Sequence, residues 1–145
     1  MELEPTELLS AFVDLSGSTP LECWRSKDDY MLVYEKQEQI EKMTPDFHAL
    51  MQVDCRGIIV TAPGNKFDFV SRFFAPQLGI NEDPVTGSAH TKLIPYWANK
   101  LNKSSLTAAQ LSNRSGIIHC ENKADRVYIG GKAVTFFTGV MSGLC

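Results

Sequence analysis

One long amphipathic helix pattern, placed between runs of strand-like sequence, constrains the fold of this chain more than any other feature. Within SAHTKLIPYWANKL, apolar residues recur every four positions, and Ile94 widens the apolar stripe. The repeating residues are Ala89, Leu93, Trp97 and Leu101. The spacing predicts a central helix over about 87–101 that buries one face, with Pro95 bending it because the proline ring removes a backbone donor.

Strand-like sequences flank this helix on both sides. Three apolar runs of strand length precede it: YMLVY, RGIIVTAPG and FDFVSRFFAP. Four shorter runs follow it: SLTAAQLSN, GIIHCEN, RVYIGG and KAVTFFTGVM. Gly130–Gly131 is the strongest hairpin signal among them. Mixed elements, one long helix and then a run of strands together predict an α+β fold with a largely antiparallel sheet.

Two short helices are predicted in the first third of the chain. PTELLSAFVDLSG places Leu8, Leu9 and Phe12 on one side of a helix. In MTPDFHALMQ, Thr44 is the predicted N-cap and Pro45 the first helical residue, because Thr accepts hydrogen bonds from a helix start and Pro fits its first position.

Bulk properties exclude several functional classes. The 145 residues suit one domain, with 43% hydrophobic and 21% charged residues. A net charge of −3 without a basic stripe argues against nucleic acid as a partner. No apolar stretch approaches the roughly 18 residues of a membrane span, and the acidic start MELEPTELLS is not that of a signal peptide. Cysteines without C-x-x-C spacing argue against a zinc site or a disulfide framework, so we expect a cytoplasmic protein.

The segment NEDPVTGSAH offers chemistry at the start of the predicted helix. The first backbone N–H groups of a helix lack partners within it, and the helix dipole adds partial positive charge there. Gly87 has no side chain to cover those donors, and Ser88 adds a hydroxyl. Asp83, held in a turn by Pro84, places a carboxylate nearby, and a carboxylate beside a substrate can transfer a proton. The pattern therefore predicts an anion-binding site, suited to a substrate carboxylate, with a proton-transfer group beside it.

A purely structural interpretation of the same segment stays open. Asp before Pro commonly shapes a turn, Ser88 can be a plain helix cap, and a histidine such as His90 in a first helical turn is usually solvated. The three histidines, His48, His90 and His119, lack the spacing of metal ligands. TGSAH also lacks the second glycine of a G-x-S-x-G nucleophile elbow. Spacing alone does not decide between a binding site and a turn.

Four ordered motifs stand out between about positions 30 and 140. They are RGIIVTAPG, VSRFFAPQLGINEDPVTGSAHTKLIPYW, LTAAQLSNRSGIIHC and RVYIGGKAVTFFTGVM. Together they resemble the phenazine-biosynthesis PhzF-like isomerase family, whose fold is similar to that of diaminopimelate epimerases. The resemblance implies a lobe in which a mostly antiparallel sheet curls around a central helix. It also implies an active site in the cleft between two such lobes.

The length of the chain implies that only the second of those lobes is present. The family's first lobe carries a catalytic glutamate and a histidine in a Gly-His motif. No Gly-His dipeptide occurs in this chain, so neither residue can be assigned here. The resemblance implies that residues 30–145 form the C-terminal lobe and that residues 1–29 are an N-terminal connecting segment.

The second-lobe half of the family's site transfers residue by residue. The resemblance implies that Asp83 and Ser88 are catalytic, with Asp83 assisting the proton shift and Ser88 contacting the substrate. It implies that the backbone at Gly87, Ser88 and Ala89 binds a substrate carboxylate. Glu82 belongs to the same motif and is expected among the substrate-binding residues.

The implied activity is proton-transfer isomerisation of a small carboxylate, without metal or cofactor. Related epimerases use paired cysteines, but no cysteine lies between Arg56 and His119, so a two-thiol mechanism is disfavoured. We expect the lobe alone to be inactive and to require a complementing first lobe or a second copy as its partner. The alternative is a non-catalytic module that binds a small acid or self-associates through the former interlobe face, because an exposed apolar patch favours association.

Overall fold

A computed structural model of the chain describes residues 3–13, 15 and 17–143. In this part of the chain, nine strands form one mixed sheet. The strands are Glu4–Pro5 (β1), Glu22–Arg25 (β2), Asp29–Val33 (β3), Gly57–Pro63 (β4), Phe69–Ala75 (β5), Ile80–Glu82 (β6), Ser105–Gln110 (β7), Gly116–Lys123 (β8) and Arg126–Gly130 (β9). The α-helices are Ser10–Val13 (α1), Gln37–Glu41 (α2), Phe47–Met51 (α3) and Gly87–Leu101 (α4), and a short 3₁₀ helix spans Pro76–Leu78. None of the helices described is long and apolar enough to cross a membrane.

The sheet combines antiparallel and parallel neighbours. Its order is β1-β2-β3-β4-β5-β7-β8-β9, and β6 pairs with β5 outside this path. β3 is parallel to β4 and β5 is parallel to β7, whereas the other pairs are antiparallel. Parallel neighbours require a crossover connection, and helices lie in both of these connections. The predicted α+β fold with a sheet core is confirmed.

Both faces of the central strands β3, β4 and β5 are covered, because their residues alternate between two apolar clusters. In β5, Val70 and Phe74 point into the cluster that contains residues of α1, α2 and α3. Phe69 and Phe73 point into the cluster on the opposite face, which contains residues of α4. Burial on both faces explains why these strands are apolar runs without polar alternation.

α4 spans Gly87–Leu101, as its four-residue spacing predicts, and packs across one face of the sheet. The Trp97 indole N–H donates to the Thr61 hydroxyl in β4 at 2.9 Å. The Tyr96 hydroxyl donates to the Glu22 carboxylate in β2 at 2.9 Å. The apolar cluster around the helix also includes side chains of β7 and β8. The helix is therefore contacted by strands from both halves of the sheet, and its N-terminus is held in a fixed position.

The prediction of Thr44 as the N-cap of α3 is wrong. The N-cap is Asp46, whose Oδ1 accepts from the N–H groups of His48 and Ala49 at 3.0 and 3.1 Å. The helix consequently begins at Phe47, two residues later than predicted. A carboxylate at this position satisfies two of the donors that a helix start leaves unpaired, which explains the shift.

Two short strands of the segment predicted as a connection, residues 1–29, pair within the sheet. β1 is antiparallel to β2, and β2 is antiparallel to β3. The predicted helix in this segment is shorter than expected: α1 covers Ser10–Val13 and buries Phe12. Asp14 and Ser16 of the predicted helix lie outside the described residues. The sheet therefore continues from β2 to β3 without a break.

The prediction of a fourth strand in the tail is wrong. β9 ends at Gly130, and residues 132–141 (KAVTFFTGVM) form no strand. The hairpin lies between β8 and β9, where Lys123 pairs with Arg126 around a two-residue turn. The sequence predicted a hairpin at Gly130–Gly131, and the structure does not form one there. A strand-type sequence forms a strand only when it pairs with a neighbouring strand, and residues 132–141 pair with none of the described strands.

Candidate functional site

The predicted motif lies where β6 leads into α4. Asp83 directly follows β6, and its N–H donates to the carbonyl of Phe73 in β5 at 3.0 Å. The chain then turns through Pro84 and enters α4 at Gly87. Asp83 and the first residues of α4 therefore belong to one short loop beside the sheet.

Gln110, buried at the end of β7, holds this loop in place. Its Oε1 accepts from the Thr86 N–H at 2.8 Å. Its Nε2 donates to the Asp83 carbonyl at 2.8 Å and to the Thr86 hydroxyl at 3.1 Å. Ser112 adds a bond from its hydroxyl to the Pro84 carbonyl at 2.8 Å. Sequence analysis missed both residues because they lie 24 to 28 positions away along the chain.

The carboxylate of Asp83 is half-buried and oriented by a neighbour. The Thr86 hydroxyl donates to its Oδ2 at 2.6 Å. Because Gln110 donates to the same hydroxyl, the single hydroxyl proton of Thr86 is committed to Asp83. A carboxylate has about four acceptor positions, so this bond fixes the group while leaving it able to accept from a further partner. Asp83 is thus held against the residue that precedes Gly87.

The start of α4 presents backbone donors that the side chain of its N-cap does not take up. The N-cap is Thr86, and its side chain accepts no hydrogen bond from the helix. Gly87 and Ser88 are exposed, and a Cβ built at Gly87 would meet no atom within 4 Å. The space in front of Gly87 is therefore open. An anion can approach the first N–H groups of α4, where the helix dipole favours negative charge.

Ser88 contacts a charged cluster that the sequence did not indicate. Arg56 donates from Nη1 to the Ser88 hydroxyl oxygen at 3.0 Å. Its Nε and Nη2 donate to the two carboxylate oxygens of Asp29 at 2.9 and 2.5 Å. Lys92, buried four residues further along α4, places its Nζ 2.7 Å from Oδ2 of Asp29. One buried carboxylate is therefore paired with two cations behind the helix start.

Asp29 stays ionised although it is buried. Burial raises the pKa of its carboxyl, but hydrogen bonds and charge attraction from Arg56 and Lys92 outweigh that effect and hold the pKa below its usual value. Hydrogen bonding to Asp29 in turn raises the pKa of Arg56. The cluster therefore surrounds an ionised Asp29 with two basic side chains.

Two of the predicted binding residues are engaged within the fold. The Glu82 carboxylate accepts from Nε and Nη2 of Arg72 at 2.7 and 2.9 Å. Arg72 also donates to the carbonyls of Ile40 and Met43, so it joins β5, β6 and the end of α2. The side chain of Ala89 is buried in the core, so only its backbone N–H is available to a ligand.

His90 is buried, contrary to the solvated position expected for a histidine in a first helical turn. Its Nδ1 lies 2.8 Å from the carbonyl of Thr86, and because a carbonyl can only accept, Nδ1 carries the proton. Burial lowers the pKa of His90, against the smaller raising effect of that hydrogen bond. The ring lies beside Phe69, so His90 belongs to the core.

The described cysteines do not provide an alternative site. Among the residues that the structure describes, no three or more His, Cys, Asp or Glu side chains are placed to hold a metal ion. Cys23, Cys55 and Cys120 are free thiols, and Cys145 lies outside the described residues. Burial raises the pKa of the Cys55 and Cys120 thiols to about 11. Such thiols are protonated near neutral pH, which disfavours both as bases in a proton transfer.

The chain is similar over nearly its whole length to proteins of one family. The family described as phenazine biosynthesis-like protein (PhzC-PhzF) matches residues 3–139. An uncharacterized isomerase of Pseudomonas aeruginosa is 43% identical over 138 residues, which cover 95% of this chain and 53% of that relative. A second uncharacterized isomerase of the same organism is 50% identical over 123 residues, which cover 85% of this chain and 47% of that relative.

A solved structure agrees with these sequence matches. The crystal structure of a PhzF-family phenazine biosynthesis protein from Enterococcus faecalis has a TM-score of 0.88 and 45% sequence identity to this chain. The match covers 94% of this chain and 53% of that protein. The chain spans about half the length of the relatives that it matches. It belongs to the phenazine biosynthesis-like (PhzC-PhzF) family.

Proposed function

We propose that this chain supplies one half of an active site that isomerises a small carboxylate by proton transfer, without a metal or cofactor. One observation carries the proposal: an oriented carboxylate lies beside an uncapped helix start. Asp83 is held by Thr86, and the backbone at Gly87 faces open space. Both Pseudomonas relatives carry the name isomerase, which supports the reaction class.

Each group at the site has a distinct task in this reaction. The N–H groups of Gly87, Ser88 and Ala89 bind the substrate carboxylate, and the Ser88 hydroxyl adds a further contact. Asp83 moves a proton to or from a substrate carbon as a general acid or base. Because one proton must be removed and another returned, a second group is required. We place that group in the part of the relatives that this chain does not match.

The C-terminal segment, residues 132–141, supports the requirement for a partner. Its large apolar side chains are between 80% and 100% exposed: Val134, Phe136, Phe137, Val140 and Met141. The family match extends to residue 139, so most of this segment belongs to the family's sequence. Exposed apolar surface of this extent marks an interface, and a partner that buries such a side chain gains about 1.5–3 kcal/mol from each one.

An open groove joins the C-terminal segment to the candidate site. Its volume is about 730 Å³, and its lining includes Val85 of the motif, Ile117 of β8, and Gly131 and Lys132 at the start of the segment. Val85 and Ile117 are both exposed apolar residues. A partner that pairs with the segment would also cover this groove. It would then enclose the site from the side of Val85, two residues before Gly87.

The test supplies the missing part in trans. The chain is combined with the part of the Enterococcus faecalis relative that it does not match, and deuterium incorporation from D₂O into a panel of small unsaturated carboxylic acids is followed by mass spectrometry. We expect exchange only when both parts are present. Asp83→Asn should reduce the exchange rate by about 100-fold or more, because the proton-transfer group is lost. Asp125→Asn, an exposed carboxylate in the β8–β9 turn, is the matched control and should change nothing.

Two results would contradict this function. Exchange that survives Asp83→Asn would show that another group moves the proton. A chain that forms a stable dimer through residues 132–141 and binds a small acid without turnover would favour the non-catalytic module instead. Sedimentation velocity of the chain alone and with the added part distinguishes the two kinds of assembly.

A further inference from the structure

Arg56 lies between a buried carboxylate and the candidate site. Two of its nitrogens bind Asp29 and the third donates to Ser88, while the side chain remains 33% exposed. The ring of Phe73 lies 5.7 Å from the guanidinium carbon. That ring fits because Gly57 has no side chain: a Cβ there would lie 2.2 Å from it. The guanidinium is therefore held by hydrogen bonds on one side and by an aromatic ring on another.

The cluster behind Ser88 places two basic side chains against one buried carboxylate. Lys92, which is fully buried, is sufficient to neutralise Asp29. Arg56 is a second cation on the same carboxylate, and Asp28 adds a weaker attraction to it. The start of α4 adds partial positive charge at the same place. An anion bound in front of Ser88 would be attracted by the Arg56 guanidinium and by the helix start.

Arg56 also decides how the Ser88 hydroxyl is used. A guanidinium can only donate hydrogen bonds and keeps its charge at physiological pH. The Ser88 oxygen is therefore the acceptor in the contact with Arg56. The hydroxyl proton is left for another group, and a cation that polarises the oxygen strengthens that outward bond.

We propose that Arg56 is a positioning residue: supported by Asp29 and Lys92, it holds Ser88 as a hydrogen-bond donor toward a negatively charged acceptor of the substrate. This inference rests on the proposed function, because it assigns Ser88 a contact with the substrate. It also narrows the substrate class. A substrate group that must donate a hydrogen bond at this position would face a donor beside the Arg56 cation, so the site selects against it.

The acidity of a thiol at position 88 tests this role without any substrate. Ser88→Cys places a thiol where the hydroxyl lies, and a neighbouring cation stabilises its thiolate. We expect the pKa of this thiol to be lower by about one unit or more than in the double variant Ser88→Cys with Arg56→Gln. The measurement is the rate of alkylation by iodoacetamide against pH. Mass spectrometry of the peptide that contains position 88 separates this thiol from the native cysteines.

The controls separate a positioning role from a general structural one. Arg56→Gln leaves Asp29 paired with Lys92, so the fold should persist. Arg126→Gln removes an exposed arginine of β9 and should leave the thiol pKa unchanged. Arg56→Lys should recover part of the lowering, because it keeps the charge but not the planar fork.

A thiol pKa that is the same with and without Arg56 would overturn the proposal. If Arg56→Gln does not fold, side-chain NMR of the otherwise unsubstituted chain decides: the Nη1 resonance of Arg56 should shift on Ser88→Ala, and an unchanged resonance would overturn it. Neither the thiol pKa nor the Arg56 resonance depends on the result of the deuterium-exchange assay. A lowered thiol pKa without deuterium exchange would reject the proposed function alone, and exchange with an unaffected thiol pKa would reject only the role of Arg56.

Discussion

At the scale of single residues, His90 makes the stability of this chain depend on pH. Its ring is buried in the first turn of α4, and its Nδ1 proton is bonded to the carbonyl of Thr86. Burial lowers the pKa of His90 in the folded chain. The folded state therefore holds a neutral histidine under conditions in which the unfolded chain would protonate it.

The pH dependence has a definite sign. Below about pH 6.5 the unfolded chain binds a proton that buried His90 resists, so the free energy of unfolding should decrease as the pH falls, by up to about 1.4 kcal/mol per pH unit, until His90 is also protonated. His90→Gln should remove most of this slope. His48→Gln, at an exposed histidine, is the matched control and should retain it. Urea denaturation between pH 7 and pH 5 measures the slope. An unchanged slope in His90→Gln would show that buried His90 does not cause the pH dependence.

At the scale of elements, α4 combines core formation with presentation of the site. Its apolar stripe packs on the sheet, while its first residues remain at the surface. The preceding loop is fixed separately, by Gln110 of β7. Because both contacts are made with the sheet, the distance between the Asp83 carboxylate and the helix start is set by packing and not by the loop alone.

Gly87→Ala should separate ligand binding from stability. The added methyl group meets open space, and alanine favours a helix over glycine by up to about 1 kcal/mol, so the thermal stability should be unchanged or higher. The same methyl group would narrow the approach to the first N–H groups of α4 and should weaken anion binding. An NMR titration with sodium acetate, followed at the amides of Gly87, Ser88 and Ala89, measures this effect.

Gly131→Ala is the control for that titration, because a Cβ there also meets no atom within 4 Å. It lies beyond the end of β9 and should leave acetate binding unchanged. Equal acetate binding by the Gly87→Ala variant and the unsubstituted chain would show that these amides are not the anion site.

At the scale of the whole molecule, the chain exposes apolar surface that its own fold does not cover. The C-terminal segment leaves the sheet after β9 and remains exposed. The relatives are about twice as long as the part that matches, so they contain further sequence that can cover such a surface. The proposed partner therefore both buries the segment and completes the site.

Phe136→Asp should affect association and not folding. The side chain of Phe136 is fully exposed, so the thermal stability of the isolated chain should not change. Binding to the added part of the Enterococcus faecalis relative should weaken by about tenfold or more, because an apolar contact is replaced by a charge that must be desolvated. Leu21→Asp, at an exposed leucine before β2, is the matched control for isothermal titration calorimetry. Equal weakening by both variants would rule out a specific role for the segment.

Predictions based on residues close together in the sequence succeeded where the structure depends on local interactions. The spacing of Leu93 and Trp97 predicted the bounds of α4, and the helix continues through Pro95 to Leu101. The cap of α3 was missed because Thr44 and Asp46 both suit that position and lie two residues apart. The last predicted strand failed for a different reason: a strand pattern states a preference, but a strand forms only by pairing, and residues 132–141 pair with no described strand.

The sequence by itself determined the long helix, the strand-rich core, the family, and Asp83, Gly87 and Ser88 as candidates, because each of these depends on patterns within continuous stretches of the chain. Only the tertiary structure decided that Gln110 holds the motif loop and that Arg56 reaches Ser88 from 32 residues away. It alone decided that residues 132–141 lie exposed. The physical reason is range: hydrogen bonds and ion pairs act over about 3 Å, and only folding brings atoms from distant positions within that distance.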